Sequence, residues 1–254
     1  MELTGLEGKA ALVTGASRGI GKAIAKVLAK SGVRVICSAT NQSLLEQVCS
    51  EIERDGGVAV PMSADLASAQ ERSDLVEKAV SQFDGLDFLI NNAGINWEQA
   101  ALDLTDDKLK EIFEINVFAM FSLAREIARH MINRGTGGKI INMGSFWGQA
   151  GVGRHFAYVV SKATIEAMTR CLAVEWARYN IQVNTVAPGH IITDFSKAVF
   201  ENEKIRNGIL RRIPARRGGE AEEVAYLVAF LCSQQANYMT GHIYYVDGGQ
   251  LIAW

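Results

Sequence analysis

The sequence has few cysteines and no patterned ones. Cys37, Cys49, Cys171 and Cys232 are scattered, with no C-x-x-C pair and no metal-ligand spacing. Reduced thiols in a cytoplasmic protein are therefore expected, each packed as a small buried apolar group. Long apolar runs are missing too. The longest, Val224 to Cys232, falls far short of the roughly 20 residues a membrane span needs. Met1-Glu2-Leu3-Thr4 lacks the basic and apolar regions of a signal peptide, which agrees with a cytoplasmic location. A net charge of −2 gives no electrostatic argument for nucleic acid or an anionic membrane as a partner. No internal repeat, low-complexity tract or linker interrupts the chain.

What is present is an ordinary globular composition, 48% hydrophobic and 21% charged over 254 residues, ample for a real core. Short β-rich runs near Ala10–Thr14, Val33–Ser38, Val58–Met62, Phe88–Ile90, Lys139–Met143, Gln182–Val186 and Ile243–Val246 alternate with helical patterns. The helices are expected near Ile20–Lys30, Ser43–Asp55, Ala69–Phe83, Asp106–Asn133, Phe156–Tyr179 and Glu220–Ser233. Such alternation predicts a seven-stranded parallel sheet flanked by helices on both faces. One stretch, Pro188 to Gly219, breaks the rhythm and reads as a long irregular segment. Segments of that kind are commonly lids, and its place beyond a strand's carboxyl end makes residues 189–218 a candidate substrate-binding flap within one domain spanning 1–254.

The apolar run Ala10 to Val13 is followed by Thr14-Gly15-Ala16-Ser17-Arg18-Gly19-Ile20-Gly21. A strand turning on glycines into a helix offers bare backbone N–H groups and a positive dipole end to a pyrophosphate. The spacing is G-x-x-x-G-x-G, which differs from G-x-G-x-x-G and supports a dinucleotide site only in company.

That company is Ser145, Tyr158 and Lys162. Tyr158 and Lys162 are four apart in a helical segment and share a face. A free phenol has a pKa of about 10, too high for efficient acid–base work near neutrality. An ammonium roughly 5 Å away would favour the phenolate by about 3 kcal/mol at an effective dielectric near 20. That is on the order of two pKa units, so the phenol is expected to be made acidic. Y-x-x-x-K alone also describes a surface tyrosine beside a solvated lysine. Ser145 strengthens it by ending the run Lys139-Ile140-Ile141-Asn142-Met143-Gly144, at a strand's carboxyl end. A hydroxyl there can donate to a carbonyl oxygen as charge builds on it.

With these motifs in order, and with Asn91-Asn92-Ala93-Gly94, Asn116 and Pro188-Gly189 beside them, the chain resembles the short-chain dehydrogenase/reductase family over essentially its whole length. The resemblance implies a single doubly wound, Rossmann-like domain and a catalytic set of Asn116, Ser145, Tyr158 and Lys162. It implies that Ser145 and Tyr158 bind the reacting oxygen, that Tyr158 transfers the proton, and that Lys162 holds the nicotinamide ribose. Asn116 would hold a water in a proton relay. Asp65 with Leu66 would meet the adenine, and Asn92, Ala93 and Gly94 would line the cofactor cleft. Pro188, Gly189, Ile191 and Thr193 would hold the carboxamide and phosphates, with Gly15, Ser17, Arg18, Gly19, Ile20 and Gly21 at the pyrophosphate turn. The apolar ending Leu251-Ile252-Ala253-Trp254 is expected at a tetramer contact, implying a homotetramer.

NADP(H) is the expected cofactor. An acidic residue just past the second strand would accept the ribose hydroxyls of NAD, but the chain reads Ser38-Ala39-Thr40-Asn41 and its first acid is Glu46. Arg18 can swing to a 2′-phosphate, with Thr40 and Asn41 adding neutral hydrogen bonds. Four arginines crowd Leu210 to Arg217, where Glu220, Glu222 and Glu223 offer local pairing. His155 and His190 fall close in sequence to Tyr158 and the flap and could touch substrate, although each is more often an ordinary polar loop residue, and no metal-ligand set forms around them. Trp97, Phe146, Trp147 and Phe195 border the expected substrate cleft. The leading expectation is an NADP(H)-dependent reductase acting on a ketone or aldehyde, with a 3-oxoacyl thioester as one substrate. For that substrate Arg134 could help dock an acyl carrier, although Tyr179 stands where a second basic group would be needed. A sugar-acid or polyol dehydrogenase is the alternative, and a non-catalytic NADP-sensing scaffold is the alternative of another class.

Overall fold

The computed structural model describes residues 2–193, 201 and 203–253, the side chain of Ile205 apart. Expectations that rest on Phe195 and Trp254 lie outside the described residues. The seven sheet strands are β1 Ala10–Thr14, β2 Arg34–Ala39, β3 Val58–Ser63, β4 Phe88–Asn91, β5 Gly138–Met143, β6 Ile181–Pro188 and β9 Ile243–Val246. Two short strands, β7 Ile191–Ile192 and β8 Gly219–Glu220, pair with each other in parallel. The main sheet has the order β3-β2-β1-β4-β5-β6-β9. Every pairing in it is parallel.

This order explains the run of wholly buried strand residues. Ala10–Thr14 is buried at every position because helices cover both faces of the sheet. One core holds the inner faces of α1 Gly19–Lys30, α2 Gln42–Arg54 and α8 Ala221–Cys232. The other holds those of α3 Ala69–Gln82, α5 Met120–Arg134 and α6 Phe156–Trp176. Local chemistry sets the helix starts. Asn41 accepts from the Leu44 N–H at 3.0 Å, Ser68 from Glu71 at 3.3 Å, and Glu220 and Glu223 form a capping box. The chain order reverses between β1 and β4, which lie side by side and run outward to either edge. In doubly wound sheets that reversal opens a crevice at the strands' carboxyl ends.

Three expectations need correction. The helix read across 106–133 is three pieces: α4 Asp106–Phe113, a π-helical turn Glu114–Ala119, and α5. Pro188 to Gly219 is less irregular than its sequence suggests, since it contains β7, β8 and α7 Glu203–Leu210. Cys171 is exposed, whereas Cys37, Cys49 and Cys232 are buried as expected. It falls on the outer face of α6, where helical periodicity turns it away from the sheet. No helix among the described residues is long and apolar enough to cross a membrane.

Candidate active site

The crevice between β1 and β4 is built by its glycines and one asparagine. Gly15 and Gly19 have φ of +64° and +54°, a left-handed geometry that a side chain would strain. A Cβ on Gly21 would lie 2.2 Å from the Gly15 carbonyl oxygen, so only glycine lets the first turn of α1 close on the strand. Asn92, just past β4, pins this turn by donating to the carbonyls of Thr14 at 2.9 Å and Gly15 at 3.2 Å. The Thr14 hydroxyl in turn accepts the N–H groups of Asn92 and Ala93, both at 3.0 Å. A Cβ on Gly19 would lie 3.5 Å from Thr193, so Thr193, just past β7, lies against the turn.

The same edge carries the other expected cofactor residues. Arg18, at the start of α1, is exposed, and its guanidinium has no hydrogen bond or ion pair among the described residues, only its carbonyl accepting from the Lys22 N–H at 3.2 Å. Thr40 is exposed just past β2. Asp65 is exposed past β3, its carboxylate taken by the Ala67 N–H, while Leu66 is buried beneath it. Ser17 and Ile20 are half-buried within the turn, and Gly94 is exposed beyond Ala93. Pro188 ends β6, and the Gly189 N–H donates to Val246 at 2.9 Å before Ile191 enters the core. These groups fit a dinucleotide: bare N–H groups at a helix start, glycine-lined space, and a free guanidinium past the two strands.

Ser145 follows β5 and is buried, its hydroxyl accepting from the Trp147 N–H at 3.2 Å as it caps a 3₁₀ turn over Phe146–Gln149. Tyr158 and Lys162 lie one turn apart on α6. Lys162 is buried, donates to the Met143 carbonyl at 2.8 Å, and holds its ammonium 5.5 Å from the Tyr158 ring centroid. Asn116 sits in the π-helical turn, the kind of helix defect that frequently marks a functional site. Its amide grips Ile95 from both sides, accepting its N–H at 2.8 Å and donating to its carbonyl at 2.9 Å. It also donates to Ser161 at 3.0 Å, and Ser161 donates to the Tyr158 carbonyl at 2.7 Å. All four expected catalytic side chains are thus tied to one another's supports.

The electrostatics differ from the sequence expectation. Burial pulls Lys162 down to about 8. Burial also raises the Tyr158 phenol, with Ser145 pulling the other way. The expected acidic phenol is therefore not a property of the protein alone. Removing water from each charged form is the dominant cause in both cases.

A ring cluster adjoins the phenol. Trp147 meets Tyr158 edge-on at 5.9 Å, His155 at 4.7 Å and His190 at 6.2 Å, while Phe146 lies 5.4 Å from His190. Trp97 stands outside this cluster, donating to Gln99 and lying under Lys108. Sequence reasoning missed Glu166, which is buried, accepts from Gln149, and takes the Tyr245 hydroxyl at 3.4 Å. It binds the 3₁₀ turn to α6, and its place one turn beyond Lys162 was the available signal. Asn96, Gln149 and Gln250 were missed as well. Arg134 turns to the Leu86 carbonyl, before the amino end of β4 and so away from the catalytic edge. Arg217 pairs with Glu223 through two contacts at 2.6 and 2.7 Å, as the local-pairing reading anticipated.

A protein-family model described as enoyl-(acyl carrier protein) reductase matches residues 15–250. The chain is 40% identical over 246 residues to a 3-oxoacyl-(acyl-carrier-protein) reductase of Vibrio cholerae serotype O1, covering 96% of this chain and 98% of the relative. It is 37% identical over 248 residues to a 2-dehydro-3-deoxy-D-gluconate 5-dehydrogenase of Bacillus subtilis, covering 97% and 96%. Among solved structures, one assigned as a 2-deoxy-D-gluconate 3-dehydrogenase of Agrobacterium tumefaciens, with bound NADP, superposes with a TM-score of 0.89. Its identity is 35%, and 97% and 98% of the two chains are covered. The doubly wound sheet and the crevice define an α/β oxidoreductase. The chain belongs to the short-chain dehydrogenase/reductase family.

Proposed function

We propose that the protein is an NADP(H)-dependent reductase that interconverts a ketone or aldehyde and its alcohol, with Tyr158 as proton donor. The observation that carries this reading is the joint placement of Ser145, Tyr158, Lys162 and Asn116 at the carboxyl edge beside the glycine turn. A bound nicotinamide supplies or takes up the hydride, chemistry that belongs to the cofactor. The protein's own residues handle the oxygen. Ser145 and Tyr158 donate hydrogen bonds to it, and Tyr158 gives up its proton as negative charge grows there. A phenol raised by burial is fully protonated near neutrality, which suits an acid in the reducing direction. In the oxidising direction, the positive charge of an oxidised nicotinamide favours the phenolate. Lys162 and Asn116 both border Gly94, where an added Cβ would lie 3.5 Å from Nζ and 3.2 Å from Oδ1. They form the route by which the proton is replaced.

NADP(H) is favoured because no carboxylate follows β2 and Arg18 is unpaired among the described residues. The NADP-bound relative supports the same choice. The segment 189–218 serves as the substrate flap, and the assembly is a homotetramer. Phe118 at 54% and Val174 at 82% exposure leave apolar surface for subunit contacts on the outer faces of the π turn and α6. A sugar-acid or polyol substrate competes with a 3-oxoacyl thioester, and Arg134 offers carrier docking no support beside the site. An NADPH-oxidation screen over acetoacetyl thioesters, keto-sugar acids, cyclic ketones and aromatic aldehydes tests the reading. Turnover of at least one class is expected. NADPH binding without turnover of any would favour the cofactor-sensing scaffold.

A further inference from the structure

We propose that His155 and His190 are specificity-determining residues that accept hydrogen bonds from substrate hydroxyls, so that the site takes a polyhydroxylated ketone. The inference rests on the reductase reading and names the substrate class within it.

Both imidazoles are held in the same way. Nδ1 of His155 lies 3.2 Å from Oδ1 of Asn96, and Nδ1 of His190 lies 2.9 Å from Oε1 of Gln250. An amide oxygen only accepts, so Nδ1 carries the proton in each ring. A neutral imidazole with its proton on Nδ1 leaves Nε2 as an acceptor. Neither Nε2 has a partner among the described residues. Burial lowers His190, which keeps it neutral at physiological pH.

The two rings flank Trp147, which itself meets the Tyr158 ring. Their placement is enforced by the fold. His155 precedes α6, three residues before Tyr158, and its loop is tied to 95–99 by the Arg154–Glu98 pair at 2.8 Å and by the Gln99 N–H on Arg154 at 2.7 Å. His190 lies two residues past the end of β6, and Gln250 is buried against it. Two acceptors around one indole suit a ligand with hydroxyl donors and C–H faces, as a keto sugar has. A thioester's alkyl chain would leave both acceptors dry and unpaired, which disfavours it.

The test is steady-state NADPH oxidation by wild type and by His155→Leu and His190→Leu, with 5-keto-D-gluconate, cyclohexanone and acetoacetyl-CoA. Wild type is expected to prefer the keto sugar acid in kcat/KM. Each leucine variant should lower the ratio of keto sugar acid to cyclohexanone by about three- to tenfold, mainly through KM. His190→Gln, which restores an acceptor near the lost Nε2, should recover part of that ratio. Equal losses on both ketones, or a wild-type preference for the thioester, would overturn the proposal and leave the reductase reading intact. No oxidation with any of the three, nor with an aromatic aldehyde, would overturn both.

Discussion

Lys162 shows how a single residue couples the fold to the chemistry. Its ammonium is buried on one carbonyl, with a pKa near 8, while an unfolded lysine titrates near 10.4. Below pH 8 both states hold the proton and the burial cost is constant. Between pH 8 and about 10 the unfolded chain binds more protons, so stability rises with pH. Wild type should therefore gain about 2 kcal/mol relative to Lys162→Met across that window, from 1.36 kcal/mol per unit. Denaturant titrations at pH 8 and pH 10 read the difference directly. A constant gap between the two proteins would mean that Lys162 titrates as if solvated. Arg18 is the second residue whose role can be isolated. If it holds the 2′-phosphate, Arg18→Glu should weaken NADPH by about tenfold or more, the range of a charge-assisted hydrogen bond. NADH affinity should change little. Equal effects on the two cofactors would remove Arg18 from the phosphate.

At the scale of elements, the strands were legible because each is a short apolar run bounded by turn residues. All seven sheet strands lie within two residues of the expected ends. The π-helical turn at Glu114–Ala119 was not legible, since its residues satisfy an ordinary helical pattern and only the hydrogen bonds differ. The grip of Asn116 on Ile95 likewise spans two separate elements, which periodicity cannot register. Spacing pointed to Ser145, Tyr158 and Lys162 as candidates and the family resemblance added Asn116, but the electrostatics were not legible, because desolvation depends on packing. The ring cluster and its amide partners come from four loops distant in sequence, so His155 and His190 looked ordinary there. The glycine turn yields a sharp test. Gly21→Ala drives a methyl to 2.2 Å from the Gly15 oxygen and 2.5 Å from the Asn92 amide, both already hydrogen-bonded. A loss of about 1–3 kcal/mol from overpacking is expected, with NADPH binding lost beyond what stability explains. Unchanged binding by fluorescence titration would place the dinucleotide elsewhere.

The whole molecule puts its chemistry on one edge and leaves apolar groups on its outer helices. Phe118, Phe121, Val174 and Tyr226 are exposed in the single chain, and subunit contacts would cover them if they cluster in the proposed assembly. Light scattering at micromolar concentration should give a tetramer, and a monomer would contradict the assembly proposed. The proposed chemistry depends on the Tyr158 phenol delivering the proton. Tyr158→Phe removes only the hydroxyl from a ring that still packs against Trp147. Its turnover with the best ketone and its NADPH dissociation constant, measured on the same preparation, address that claim most directly. Turnover should fall by about 10²-fold or more, the usual worth of a positioned acid, with NADPH affinity held within a few-fold. Retention of most wild-type turnover would show that Tyr158 does not deliver the proton.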